Sequence, residues 1–308
     1  VVALGVCLLC GQLHAAEDPT VVILTHDSLK STNRTLHGAR KVIKREHPDA
    51  AFHSFMVTDD PDRQVHLLDS LGKLNPTVIL TVGSAATQFA CDNFKETPIV
   101  FSGVKYPKLS GFVESLERPG GNVTGASLNI PISIQFRYFS EVVPGLKSIG
   151  VLYTSKTASL VTQAKVVAKS AGLKLIAIEV NDAKELPQAL DSLAASADGM
   201  WAVADPNLFD PRSTRYILLN TIRKGMPFMG FSRHIVESGA LFALDFDYKA
   251  IGFQAGAAVN RVIAGKSPGK IPVTQADIIW FHYNEKTAKH INLTVPDELV
   301  AIAKEVYR

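Results

Sequence analysis

From Thr20 to the C-terminus, short apolar runs alternate with stripes of apolar residues at helical spacing. Val21-Val22-Ile23-Leu24 is unbroken, as a strand buried on both faces requires, and Leu36, Ala39 and Ile43 then recur every three or four positions along one helix face. The same alternation continues. A strand is predicted over 52–57, a helical stripe through Val65, Leu68, Leu71 and Leu74, a strand over 78–82 feeding a helix through Gly83-Ser84, and a strand over 99–101. Strands separated by helices at this period predict a parallel sheet flanked by helices.

Pro119-Gly120-Gly121-Asn122 interrupts the pattern with turn chemistry, since proline fixes φ while glycine and asparagine tolerate positive φ. A short strand over 123–128 follows, and Pro131 opens a new helix. The alternation then restarts with the stripe Ile132, Phe136, Phe139 and Val143, stopped by Pro144-Gly145. Strands are predicted over 149–153, 173–180, 200–204 and 228–230, separated by the stripes Leu160, Ala164, Val167, Ala171 and Leu186, Leu190, Leu193, Ala197. Gly172 and Gly225 stand where helix C-caps belong. Residues 240–247 form another strand, Ile251, Ala255, Ala258 and Val262 a helix ending at Gly265, and 278–281 a late strand. Pro296-Asp297-Glu298 begins a last helix, with acids where the macrodipole favours them. The pattern predicts two sheet-building α/β blocks and a leftover tail.

Composition agrees with two globular units: 308 residues, 46% hydrophobic and 20% charged. A net charge of +3 gives no electrostatic case for a nucleic-acid partner. Arg40, Lys41, Lys44 and Arg45 share the outer face of a helix and read as a solvated surface. Residues 1–11 are apolar and uncharged and lead into Gln12-Leu13-His14-Ala15-Ala16-Glu17. That is the pattern of a secretory signal peptide over 1–16, cut after Ala15 or Ala16, with an uncleaved anchor as the competing reading; the apolar run is too short to span a bilayer. Cys7 and Cys10 fall within it, so the mature chain would keep Cys91 alone, without an intrachain disulfide.

In open parallel sheets ligands bind beyond the carboxyl ends of the strands. The residues there are Thr25-His26-Asp27, Gly83-Ser84-Ala85, Ser102-Gly103, Tyr153-Thr154-Ser155, Asp205-Pro206-Asn207, Phe231-Ser232 and Asp247, a set rich in small hydroxyls and poor in catalytic pairs. Gly83-Ser84-Ala85 is the most specific physically: glycine permits close approach, and the helix starting there offers free N–H groups to a carboxylate. Its plain alternative is an N-cap by Ser84. Asp205 and Asp247 each follow a strongly apolar strand and are candidates for a cationic group, Asp247 alternatively for a helix N-cap. Tyr153, Tyr106 and Phe231 offer ring faces to an aromatic ligand or to simple packing. Enzyme motifs are absent: Val82 replaces the first glycine of a nucleophile elbow before Ser84, and Asn260 replaces the leading glycine of a P-loop ending at Gly265-Lys266-Ser267. No cofactor and no metal are expected.

Ser115-Leu116-Glu117-Arg118-Pro119-Gly120-Gly121-Asn122-Val123-Thr124-Gly125, preceded by Pro98-Ile99-Val100-Phe101, resembles the periplasmic substrate-binding proteins of ABC transporters, in the family that includes tryptophan and tyrosine binders. The resemblance runs from about Pro98 to the C-terminus. It implies the type I periplasmic-binding fold: two doubly wound parallel-sheet lobes joined by three crossover segments near Asn129, Asp247 and Gln275, with the ligand cleft between them. The lobes would be 17–128 with 247–275, and 129–246 with 276–308. The ligand-binding set this implies is Thr25, His26, Gly83, Ser84, Ala85, Ser102, Tyr153, Ser155, Asp205, Asn207, Ser232 and Asp247. The implied partners are a small-molecule ligand and an inner-membrane permease with its ATPase, for a monomeric periplasmic protein that is not an enzyme. The sequence departs from the family at Thr154-Ser155-Lys156, at Ser232-Arg233 where members commonly carry two acids, and around His26, which points to different pocket chemistry and a more anionic ligand. A ligand sensor for a receptor kinase, and a hydrolase or isomerase on a similar frame, are the competing readings.

Overall fold

The computed structural model describes residues 18–308, so the leader with Cys7 and Cys10 lies outside the described residues. The first sheet holds β1 (Thr20–Thr25), β2 (Ala51–Met56), β3 (Val78–Val82), β4 (Ile99–Val104) and β5 (Val123–Ser127), with α1 (Lys30–Glu46), α2 (Pro61–Leu74) and α3 (Ser84–Asn93) between the first four. Its order is β2-β1-β3-β4-β5 and every pairing is parallel. Along β1, Val21 and Ile23 pack on one face with Ala39 and Ile43 of α1, and Val22 and Leu24 on the other with Leu67 and Leu71 of α2. Burial on both faces is why the strand reads as a continuous apolar run. One helix face differs from expectation: Val65 is 58% exposed, and the buried positions of α2 are Leu67 and Leu71, an i,i+4 pair.

The second unit contains α4 (Ile132–Val142), β6 (Ser148–Tyr153), α5 (Ala158–Ser170), β7 (Lys174–Glu179), α6 (Leu186–Ser196) and β8 (Gly199–Trp201). The chain continues through α7 (Pro211–Arg223), β9 (Phe228–Gly230), α8 (Arg233–Glu237) and β10 (Phe242–Phe246), and then leaves this unit in α9 (Tyr248–Ile263). The chain ends with β11 (Ile279–Asn284), α10 (Glu285–His290), α11 (Asp297–Ala301) and β12 (Glu305–Tyr307). The order β12-β11-β10-β9-β8-β6-β7 contains β7-β6-β8-β9-β10, the same winding as the first sheet. Two features depart from the sequence reading. β11 runs antiparallel to β10, and the tail is not left over, because β12 pairs with β11 through His282–Glu305, Tyr283–Val306 and Asn284–Tyr307.

Helix α9 follows a strand of the second sheet but packs on the first, where Ile251, Ala255 and Val259 share a core with Ala39 and Ile43. Glycines make the close α1–α9 crossing possible: a Cβ on Gly256 would stand 2.7 Å from the carbonyl oxygen of Ala39. The chain therefore passes between the sheets after β5, after β10 and before β11. These passages are hydrogen-bonded to one another, Ser127 N to Thr274 O at 2.9 Å, Ala276 N to Asn129 O at 3.3 Å and Asp247 N to Ile278 O at 3.4 Å. Short segments tied together in this way allow two rigid bodies to rotate about them.

Candidate functional site

Where the passages meet the strand ends lies a cavity of about 890 Å³. The first lobe contributes Lys105 and Tyr106 after β4, the passages contribute Asn129 and Gln275, and the second lobe contributes Gln135 of α4, Trp201 of β8, Phe231 after β9 and Phe246 of β10. Gly103, with φ of 72°, forms a bulge that shifts the β4–β5 register between Ser102 and Val104. The strand thereby extends to Val104 and delivers Lys105 and Tyr106 into the cavity.

Tyr106 adopts φ of 51°, a left-handed conformation that a bulky side chain seldom takes, and its amide donates to Asn129 Oδ1 at 3.0 Å. Its ring packs against the core of the second lobe, and burial pushes the phenol up to about 12. Trp201 is held from two sides: its indole N–H donates to Gln135 Oε1 at 2.7 Å, and its ring meets Phe136 edge-on at 5.1 Å. Gln135 is fixed in turn by donating to the Ile130 carbonyl at 2.8 Å. Phe231 meets Phe209 and Phe246 meets Tyr248, each edge-on at 5.1 Å. The ammonium of Lys105 reaches across to 5.8 Å from the centroid of Phe231. Desolvation at the cavity wall pushes its pKa below the usual lysine value, and Asp245 opposes the shift, while the side chain stays open to water. Burial likewise raises the Tyr248 phenol, with Asp245 adding to it.

None of the twelve residues expected from the sequence lines this cavity, although Tyr106 and Phe231 do. Thr25 ends β1, Gly83 follows β3, Ser84 and Ala85 open α3, and Ser102 lies inside β4, two residues before its end; Thr25 and Ser102 are buried and Ser84 and Ala85 exposed. Ser84 is not the N-cap of α3: Gly83 holds that position with φ of 86°, and no side chain caps the helix. His26 is exposed and lies 3.8 Å from Asp59. Tyr153 packs against the second core, while Ser155 and Asn207 share a smaller, separate pocket of about 140 Å³. Asp205 is turned inward. At 1% exposure it accepts from Thr154 Oγ1 at 2.6 Å, Thr157 Oγ1 at 2.9 Å and the Asn207 amide at 3.0 Å, which braces two loops. Asp247 caps α9 through the Lys249 amide at 2.8 Å and accepts from Arg34 at 3.3 Å. Ser232 precedes α8 without capping it, and Arg233 pairs with Glu305 at 3.1 Å instead of lining the cavity.

Sequence reasoning missed Lys105, Asn129, Gln135 and Trp201. A charge directly after the buried run 99–104 was the available signal for Lys105. No signal marked the others, because Trp201 reads as strand core and Gln135 as a helix surface. Among the described residues no cluster of potential metal ligands occurs, and no helix is long and apolar enough to cross a membrane.

Residues 20–307 match the profile of the family described as ABC transporter substrate binding protein. A tyrosine-binding protein of Clostridioides difficile (strain R20291) is 29% identical over 219 residues, which is 70% of this chain; the chain spans 63% of that relative's length. Two solved structures share the fold. The ligand-free, open structure of a substrate-binding protein with adhesive properties from Clostridium difficile is 20% identical with a TM-score of 0.77, covering 94% of this chain and 99% of that one. The ABC domain in complex with L-Trp from Streptococcus pneumonia is 21% identical with a TM-score of 0.66, at the same coverage of 94% and 99%. Two wound α/β sheets around a cleft are also the architecture of type I periplasmic binding proteins. Because the profile runs from β1 to β12 and leaves neither sheet outside it, this chain belongs to the ABC transporter substrate-binding protein family, whose members bind solutes without transforming them.

Proposed function

We propose that the protein captures a small solute, an amino acid or a related small organic molecule, between its lobes and delivers it to a membrane permease and its ATPase. It works as a monomer outside the cytoplasmic membrane, with lobes formed by 17–128 plus 247–275 and by 129–246 plus 276–308. The observation that carries this reading is the 890 Å³ cavity at the junction of the lobes, which falls in the size range of small-molecule sites and combines the rings of Tyr106, Trp201 and Phe231 with charged and amide side chains such as Lys105, Glu117 and Gln135. The family and the L-Trp and tyrosine ligands named for its relatives support it. Because each lobe supplies part of the wall, a solute that touches both favours the closed arrangement. Thr25, Gly83, Ser84, Ala85 and Ser102 would join the contact surface on closure, since they lie at or near the carboxyl ends of β1, β3 and β4, on the sheet edge that carries Lys105.

Trp201 supplies the test, because only it and Trp280 fluoresce as tryptophan and only Trp201 lines the cavity. A bound solute is expected to change the emission in the native chain but not in Trp201→Phe, and to raise the unfolding free energy by about 2.7 kcal/mol at a hundredfold excess over Kd. A screen of amino acids and small organic acids that moves neither signal sinks the proposal.

A further inference from the structure

The net charge of +3 conceals a polarised molecule. Helices α1 and α9 together carry eight lysines and arginines against the single acid Glu46, so the rest of the chain is net negative. Both helices pack on the same face of the first sheet and run side by side in the same direction: Gly252 lies against Thr35, Gly256 against Ala39, and the Asn260 side-chain amide donates to the Val42 carbonyl at 3.3 Å. Their outward sides therefore form one surface. On α1, Lys30, Arg34, His37, Lys41 and Arg45 are all exposed and follow one another at spacings of three and four, a row about 22 Å long. On α9, Lys249 stacks over Phe253 at 5.6 Å, and Arg261 is exposed two turns further on. Arg34 is paired with Asp247 at 3.3 Å and Arg45 stands 3.8 Å from Glu46; the other cations of the two helices have no acid within ion-pairing distance among the described residues.

A protein partner would need an apolar anchor, since the cores of protein interfaces favour aromatic and apolar side chains and are depleted in lysine. Neither helix exposes a large apolar side chain. Lipid headgroups ask for no such anchor, because they present a plane of mobile phosphates that charge alone can match. We propose that the α1–α9 face of the first lobe rests on an anionic membrane surface, with its lysines and arginines among the headgroup phosphates. The attraction acts within a Debye length of the surface and grows with each cation brought near it, so the row on α1 and its neighbours on α9 act together where a single cation would not. The inference goes beyond the cleft reading and does not depend on which solute the cleft holds: the face would keep a solute carrier beside the membrane it serves.

Sedimentation of the full chain with vesicles tests the face, with phosphatidylcholine alone compared against phosphatidylcholine containing about 30 mol% phosphatidylglycerol. Residues 1–11 carry no charge, so their part in binding is the same on both. The protein is expected to bind the anionic vesicles at least about tenfold more tightly at low salt and to lose that preference near about 0.5 M salt. The triple variant Lys41→Gln, Arg45→Gln, Arg261→Gln should weaken binding by about tenfold or more. Lys165→Gln, Lys169→Gln, Lys174→Gln makes the same change of charge at exposed positions of the second lobe and should leave binding within about twofold. Equal binding to the two kinds of vesicle, or equal weakening by the two triple variants, overturns the inference and leaves the cleft reading standing. Poly-L-glutamate that binds more tightly than the anionic vesicles, and loses its binding in the first triple variant, assigns the face to an acidic protein and overturns the inference as well.

Discussion

The strand ends of the two lobes face the same cleft, but they treat their polar groups differently. In the first lobe Asp27 after β1 is closed by the Leu29 amide and the Thr32 hydroxyl, but around β4 two groups are open: the Ser102 hydroxyl is fully buried without a partner, and Lys105 has no carboxylate within ion-pairing distance among the described residues. In the second lobe Asp205 is closed by Thr154, Thr157 and Asn207, and the rings left to the cleft are those of Trp201 and Phe231, beside the amides of Gln135 and Gln163. Unpartnered donors in a partly desolvated site are costly until something accepts from them, whereas satisfied polar groups and rings are not. On the proposed function, this difference would place the polar end of a solute toward β4 of the first lobe and its apolar body against the rings of the second.

The largest expected effect probes the closed side. Asp205→Ala should destabilise the protein by about 3 kcal/mol, because it leaves two buried threonine hydroxyls without their shared acceptor and frees the Asn207 loop. Affinity measured on the folded fraction should change little. Urea unfolding and calorimetry on the same sample separate the two, and a normal unfolding midpoint with lost affinity would return Asp205 to the ligand and erase the contrast between the lobes. The next effect is smaller and opposite in sign. Ser102→Ala removes a buried hydroxyl that bonds to nothing, so the protein should become more stable by about 1 kcal/mol, read from urea unfolding. Loss of stability in this variant would mean that the hydroxyl is satisfied and the first lobe is as closed as the second.

Much of the frame was legible because burial on both sheet faces writes itself as unbroken apolar runs such as Val21-Val22-Ile23-Leu24. The tail was not. Glu305-Val306-Tyr307 has no apolar run, and its pairing is set by the reversal at β11, which follows from α9 returning to the first sheet. At the site, the rule that ligands meet strand ends led to the sheet edges that border the cavity, but on β4 to Ser102 instead of the cavity-lining Lys105. The bulge at Gly103 carries that strand past Phe101, where its apolar pattern stops, and so moves its end to Lys105. Which acids remain available was also hidden, since the hydroxyls that occupy Asp205 lie 48 and 51 residues away in the chain.

His282 is the exception within the closed lobe and the finest test of it. The ring is 2% exposed, neither nitrogen has a hydrogen-bond partner, and Nδ1 stands 3.5 Å from Glu305. Burial holds its pKa below the usual histidine value; Asp245 and Glu305 pull the other way, and Arg233 adds to the depression. With the folded pKa below the unfolded value of about 6.5, the unfolded chain takes up the proton first. Stability should therefore be full above about pH 6.5 and decline as the pH falls from there toward the folded pKa. His282→Phe keeps a ring of similar size under α8 and has no proton to accept, so its unfolding midpoint should fall less between pH 7 and about pH 5, above the range where ordinary carboxylates titrate. Parallel pH profiles for the two proteins would show that Glu305 takes up the imidazolium without penalty, and that the second lobe has no open polar group at all.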